Sequence, residues 1–338
     1  MSYERLVGRV EDASPLTVAS LPDGSVDTLY RVEGGGGPVD SRRSFGERVA
    51  AGESSSFVRE RTAREPGGQA TNMAQQCHAL GDEVTLLGHL DDPVFESLPF
   101  ETHSMGDPAR VDVYRFDDGD LMLAAVPDSR DGWGTAALDD AAEGASGPVY
   151  GADALLVGNW AAFPSMTAVL SALADRVDVG TLLLDPGDVS AIDSGAAQGL
   201  CEALASLDEG CEVVVSANRE ELSGLAAAVD ERGGHVTDRV RRAAGVSAVV
   251  MHGFDESVAA TRDGRHLLPA VDVDEGVRNS GAGDRFSAAL ARARAAGWDW
   301  PVALALGNAC AGHYLERGET LRFDGLRNYL NDRGEVDG

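Results

Sequence analysis

The octet Asn279-Ser280-Gly281-Ala282-Gly283-Asp284-Arg285-Phe286 holds the residues best suited to chemistry. Phe286, Ala289, Leu290 and Ala293 follow at i, i+3, i+4, i+7, the spacing of one helix face, and Gly297 stands where that helix would end. Gly281-Ala282-Gly283 is therefore expected in the last loop before a helix. Two glycines let a ligand approach the backbone, and free amides at a helix N-terminus attract anions. Asp284 is a carboxylate in that turn, which the helix dipole is expected to keep ionised. Amides for a phosphate beside a fixed base suit phosphoryl transfer, where positioning and electrostatics do most of the work. The same octet would also serve as an ordinary helix entry with Asp in its first turn.

Other polar groups stand at comparable places. Gly67-Gly68-Gln69-Ala70-Thr71-Asn72 puts a glycine pair before a helix, with Asn72 one turn in, where it offers a donor and an acceptor to hydroxyls. Asn218-Arg219-Glu220-Glu221 reads as a capping box, Asn218 as N-cap and Glu221 at N3, and could equally serve a hydrated Mg²⁺ or a phosphate. Asp27, expected at a strand end, could accept hydrogen bonds from sugar hydroxyls. Asp185-Pro186-Gly187-Asp188 reads as a turn, most simply so for Asp188.

The elements that must position these groups are short apolar strands alternating with helices. Strands are expected at 16–32 (broken at Pro22-Asp23-Gly24), Phe57–Thr62, Val84–Leu87, Ala154–Val157, Thr181–Leu184, Val213–Val215 and Ser247–Met251. Helices are expected from Gly68 to Gly81, near 164–174, 194–206, 219–230 and 236–244, and then near 284–296, 301–316 and 323–332. That alternation implies an α/β fold, a doubly wound, mostly parallel sheet. Residues 33–56 are expected to be largely loop. Val111–Phe116 and Leu121–Val126 flank Asp117-Asp118-Gly119-Asp120 as a hairpin. The segments 28–63 and 109–126 do not fit the alternation and are expected to form a small β-sheet lid on a body of residues 1–27, 64–108 and 127–338. In such sheets ligands bind beyond the carboxyl ends of the strands, where the polar and glycine positions fall together.

Composition limits the alternatives. The chain has 338 residues, with 56 Asp and Glu against 28 basic residues, every one of them arginine, for a formal charge of −28. Carboxylates run along the whole chain, as expected of a cytoplasmic protein working in concentrated salt, which screens self-repulsion. The charge argues against nucleic acid, no apolar run reaches a membrane span, and the four cysteines lack metal or disulfide spacing. Without lysine there is no Walker-A loop and no protein-kinase strand lysine. A dinucleotide-dependent oxidoreductase would need Gly-x-Gly-x-x-Gly opening a helix, but the octet has Phe286 at the third position.

Taken in order and spacing, the segment ending in Asn72, Asn218-x-x-Glu221 and Gly281-Ala282-Gly283-Asp284 resemble the ribokinase-like (PfkB-type) carbohydrate kinases, and the likeness runs from Val26 to the end. The resemblance implies a three-layer α/β/α domain with a β lid that transfers a phosphoryl group from ATP, with Mg²⁺, to a sugar hydroxyl. By the same resemblance Asp284 would be the general base and Gly281, Ala282 and Gly283 the anion hole. Asp27, Gly67, Gly68 and Asn72 would bind sugar; Asn218, Glu221 (through water to Mg²⁺), Gly253 and Asn308 would serve the nucleotide. Arg278 and Asn279 depart from the family pattern, and a related group uses ADP. Residues 42–64 carry Arg42, Arg43, Arg48, Arg59, Arg61 and Arg64, and Tyr114-Arg115 lies in the other lid segment, so an anionic sugar (a sugar phosphate, or an acid such as 2-keto-3-deoxygluconate) is one expectation. A nucleoside kinase and a non-catalytic sugar sensor are the alternatives. Dimerisation through the lid occurs in the family, so a homodimer is the expected assembly.

Overall fold

The computed structural model describes residues 2–34, 37–52, 56–273 and 280–336. The centre of the main sheet is made of apolar runs: β1 (Thr17–Leu21), β4 (Glu83–Gly88), β8 (Ala154–Val157), β9 (Thr181–Leu184), β10 (Glu212–Ala217) and β11 (Ala248–Met251) are buried beyond their first residues. Such runs mark strands covered on both faces. With β5 (Glu101–Ser104), β12 (Glu256–Thr261) and β13 (Gly264–Pro269) they form a nine-stranded sheet in the order β13-β12-β11-β10-β9-β8-β1-β4-β5. All pairs are parallel except β11–β12 and β12–β13, which make an antiparallel edge.

The two-residue period of a strand divides the core. Leu156, Leu183, Val214 and Val250 face one helix layer, made of α1 (Ser2–Glu11), α3 (Gln69–Ala79), α9 (Ala282–Ala295), α10 (Trp300–Arg317) and α11 (Phe323–Asp332). Leu155, Leu182, Val213 and Val249 face the other, made of α4 (Thr135–Gly144), α5 (Met166–Leu173), α6 (Ser194–Leu207), α7 (Arg219–Ala228) and α8 (Val236–Ala244). This is the three-layer α/β/α architecture expected. From β1 the chain winds outward one way to β5 and then, from β8, the other way. The switch between β1 and β8 places a crevice at the carboxyl ends of these strands.

α9 packs on one face of the sheet and begins at that crevice. It is buried nearly all round, and its alanines let α10 lie close; Gly307 of α10 is required there, because a Cβ would stand 2.8 Å from the Phe286 ring. Gly297, at φ +72°, ends α9 as expected. Residues 33–56 correct the expectation of loop: α2 (Arg42–Ala51) starts at the Ser41 N-cap and stops at Gly52. It buries none of its side chains, so it carries no apolar period to read.

A second sheet has the order β3-β2-β6-β7, from β2 (Ser25–Glu33), β3 (Val58–Gly67), β6 (Ala109–Phe116) and β7 (Gly119–Ala125). Its four connections to the body leave from one end: β2 and β6 begin there, β3 and β7 finish there. They converge on Gly24, whose carbonyl accepts the Ala109 amide at 3.1 Å and whose Cα would lie 3.0 Å from a Cβ on Gly68. No helix among the described residues is long and apolar enough to cross a membrane.

Candidate active site

The helix entry at Gly281 is the centre of the site. Gly281 takes φ +88°, a left-handed conformation that glycine adopts without strain, and α9 begins with the next residue. Ala282 and Gly283, expected in a loop, are thus the first turn of α9, with their amides at its N-terminus, outside the helical hydrogen-bond ladder. Gly283 has no room for a side chain: a Cβ would stand 2.8 Å from Cε1 of His252. Burial holds that histidine's pKa down to about 4, so the wall behind Gly283 is neutral.

Asp284 is 8% exposed, and its Oδ2 accepts a hydrogen bond from Asn72 Nδ2 at 2.7 Å. The glycine-pair helix and the octet, 212 positions apart, therefore meet in one contact. The helix dipole expected to keep Asp284 ionised is opposed by burial. Burial raises its carboxyl above the ordinary range, the nearby Asp23 charge adds to this, and the Asn72 hydrogen bond and the Arg285 cation oppose it. Asp185 is more than the turn its sequence implied. It accepts from Gln69 Nε2 at 2.9 Å and from Ser287 Oγ at 3.2 Å. Burial, followed by the charges of Asp284 and Glu221, pushes it well above a normal carboxylate. Asp188 serves as a turn residue, accepting the Ser190 amide at 2.9 Å.

The capping box is present: Asn218 Oδ1 accepts the Glu221 amide and Glu221 Oε2 the Asn218 amide, both at 2.9 Å. Burial nonetheless raises Glu221 to about 7. Asn218, Glu221, Gly253, Asn308 and the turn from Ser280 to Asp284 all line one cavity of about 790 Å³. Asn308 Nδ2 donates to the Pro269 carbonyl at 3.0 Å and to Tyr3 Oη at 3.2 Å.

A smaller cavity of about 260 Å³ lies under the second sheet, lined by Asp27, Glu65, Asn72, Arg115, Asp120, Arg285 and Tyr314 among others. Asp27 is the third residue of β2, inside the strand and not at its end as expected; Ser25 Oγ donates to it at 2.6 Å. Gly67 leaves space for that carboxylate, since any Cβ there would collide with it. Gly68 holds φ +98° at the mouth of α3. Of the arginines expected to face an anionic ligand, Arg115 alone lines this cavity. Arg59 pairs with Asp112, Arg64 with Asp92 at 2.6 Å, and Arg43 with Glu47 at 2.9 Å, while Tyr114 stacks on Tyr30 with ring centroids 5.6 Å apart. Arg278 and Asn279 lie outside the described residues.

The two cavities share Ser280, and the Asn72–Asp284 hydrogen bond joins a wall of one to a wall of the other. The family model for prokaryotic ketohexokinases matches residues 37–333. The chain belongs to that family. It is a sugar kinase, a phosphotransferase with an alcohol group as acceptor. A ketohexokinase from Haloferax volcanii is 30% identical over 337 residues, covering 91% of this chain and 85% of the relative. Among solved structures, ribokinase from Thermotoga maritima aligns with TM-score 0.65 at 16% identity, covering 94% of this chain and 99% of that one. Arabidopsis thaliana ribokinase complexed with ribose and ATP gives TM-score 0.65 at 19% identity, covering 94% and 99%. These structural likenesses show that the sugar kinase has the ribokinase fold.

Several residues of the site were not legible as such. Asp23 was read only as a strand break, yet it is 2% exposed and accepts the amides of Gln69 (3.1 Å) and Ala70 (2.7 Å) and Nδ2 of Asn159 (3.0 Å). It caps α3 from another element. Gln75 and Tyr314 line the smaller cavity without any motif to announce them, while Gln69, Asp120 and Arg285 stand inside segments singled out above but with no role of their own.

Proposed function

We propose that this sugar kinase transfers the terminal phosphoryl group of ATP, as its Mg²⁺ complex, to a hydroxyl of a neutral ketohexose such as fructose. The observation that carries the reading is the meeting of the two cavities at the first turn of α9. The ketohexose lies in the smaller cavity and the nucleotide in the larger. Asp284, at their junction, takes the proton of the attacking hydroxyl, and the amides of Ala282 and Gly283 receive the negative charge of the transferred group. Asn72 orients the base, and the upward shift that burial gives Asp284 makes it a stronger proton acceptor than an ordinary carboxylate.

The charges favour a neutral sugar. Asp27, Glu65 and Asp120 face Arg115 and Arg285 in the smaller cavity, so among the described residues the lining carries no cationic surplus for a substrate phosphate or acid. Carboxylates accept and guanidinium groups donate, which is what a polyol requires. The ketohexokinase from Haloferax volcanii supports the same sugar class.

The residues also fit a hydrated Mg²⁺. Asp185, Glu221 and Asp284 are oxygen donors along the larger cavity, and among the described residues no group of three His, Cys, Asp or Glu could hold an ion directly. Mg²⁺ typically keeps several waters and rides on substrate phosphates, where it neutralises the developing charge. Glu221 would hold it through water, while the free amides of the α9 turn bind phosphate oxygens.

The test is a phosphoryl-transfer assay in molar KCl with ATP and Mg²⁺. The acceptors are fructose, ribose, 2-keto-3-deoxygluconate and nucleosides, and ADP is tried as an alternative donor. The expected result is turnover of fructose, reduced by about 10²- to 10⁴-fold in kcat in Asp284→Asn. Preference for the sugar acid or a nucleoside would replace the substrate assignment. Sugar binding without turnover of any acceptor would overturn the catalytic reading in favour of a sensor.

A further inference from the structure

Arg285 follows the proposed base directly, and the two side chains serve different cavities. Neighbouring residues on a helix point about 100° apart. Asp284 thus lines the larger cavity and Arg285 the smaller, with Asn72 between them. Arg285 is 3% exposed, a cation brought into the core on the most buried helix of the molecule. Burying a charge is costly unless partners hold it, and the partners that hold Arg285 also aim it.

Its orientation is fixed from two sides. Nη2 donates to Gln75 Oε1 of α3 at 2.8 Å, and the guanidinium lies 4.5 Å from the centroid of the Tyr314 ring on α10. A planar fork stacked on an aromatic face presents its donors in one plane and at fixed angles, which a lysine could not do. Because Arg285 and Asp284 share one turn of a rigid helix, the distance between the two groups is set by the backbone itself. A sugar hydroxyl held by Arg285 therefore determines which other hydroxyl of the same molecule stands at Asp284.

We infer that Arg285 is the specificity-determining residue of the sugar cavity: it hydrogen-bonds one hydroxyl of the ketohexose and so selects which hydroxyl is phosphorylated. This inference rests on the placing of the sugar in the smaller cavity. Arg115, on β6 of the second sheet, faces the same cavity from a different element than the helix that carries Asp284. It therefore cannot set that spacing as α9 does.

The experiment is a double-mutant cycle between protein and substrate. Wild type, Arg285→Gln and Arg285→Lys are assayed in molar KCl with fructose and with a set of analogues each lacking one hydroxyl. KM for the sugar and for ATP are measured separately. In wild type one analogue is expected to lose about 10- to 100-fold in kcat/KM, the worth of a hydrogen bond to a charged group. Arg285→Gln should show that same loss with intact fructose and no further loss with that analogue, while KM for ATP stays within about twofold. Arg285→Lys, which retains the charge and whose folding is checked by circular dichroism, should fail to restore discrimination and should yield a mixture of phosphorylated positions. The inference is overturned if every analogue loses the same factor in wild type and both variants, or if the variants lower only thermal stability. If wild type proves to use a different acceptor, the ketohexose assignment fails by itself, and the cycle with analogues of that acceptor still decides the role of Arg285.

Discussion

Asp284 is pulled in two directions, and the balance is measurable. Burial raises its pKa; Asn72 and Arg285 resist. A base must be ionised to act, so activity is present above the folded-state pKa and is lost as pH falls through it. Because the shift is upward, the acid limb of kcat/KM is expected at a pH above the ordinary carboxylate value of about 4. Asn72→Ala removes a contribution that lowers the pKa, and its acid limb is expected to move further up. A pH–rate profile of both enzymes checks this, and coincident limbs would count against Asp284 as the titrating base. His252 makes a second prediction of the same kind. Its folded pKa of about 4 lies below the ordinary 6.5, so below pH 6.5 the unfolded chain binds more protons and stability falls as pH drops towards 4. Denaturation midpoints of wild type and His252→Gln should converge towards pH 7 and separate on acidification, to the disadvantage of wild type.

At the scale of elements, α3 and α9 were readable because each opens on glycine and continues with a 3.6-residue apolar period. Their meeting through Asn72 and Asp284 followed only from the resemblance, since no local rule links positions 212 apart. Asp23 shows the opposite case. Its role depends on amides of another element, so its own neighbours, Pro22 and Gly24, said only that the chain turns. The helix α2 was missed because it has no buried face, and the arginines of the second sheet were misread because their partners Asp112 and Asp92 lie on distant segments. Asp23 offers a prediction here. Asp23→Ala leaves the buried Gln69 and Ala70 amides without their acceptor, which costs about 1–3 kcal/mol. A lower melting temperature is expected together with weaker sugar affinity, because α3 carries Asn72. Full stability and unchanged KM would show that the cap is dispensable.

For the whole molecule the governing fact is the charge of −28. Individual exposed ion pairs such as Arg43–Glu47 contribute little, and salt weakens them further. If those pairs dominated, added KCl would lower stability. The uniform excess of carboxylate works the other way, since screening relieves repulsion along the entire surface. The melting temperature is therefore expected to rise from dilute buffer to molar KCl, as followed by circular dichroism. A flat or falling curve would refute the view that repulsion dominates.

The second sheet is joined to the body by chain crossings at one end, near Gly24, where all four of its strands connect; Met122 of β7 also meets Ser280 Oγ at 3.6 Å. A plate fastened along one edge has a single easy movement, a swing about that edge, and its displacement grows with distance from the hinge. Asp27 lies two residues from the start of β2 and hardly moves in such a swing, whereas Arg115 and Asp120, paired beside the distal β6–β7 turn, travel the full arc. With the sugar placed as proposed in the smaller cavity, such a swing would open that cavity as a lever does. The end beside Asn72 would stay covered while the end beside Arg115 and Asp120 opened to water, and the stiffness of the crossings at Gly24 and Gly68 would set how often it did so.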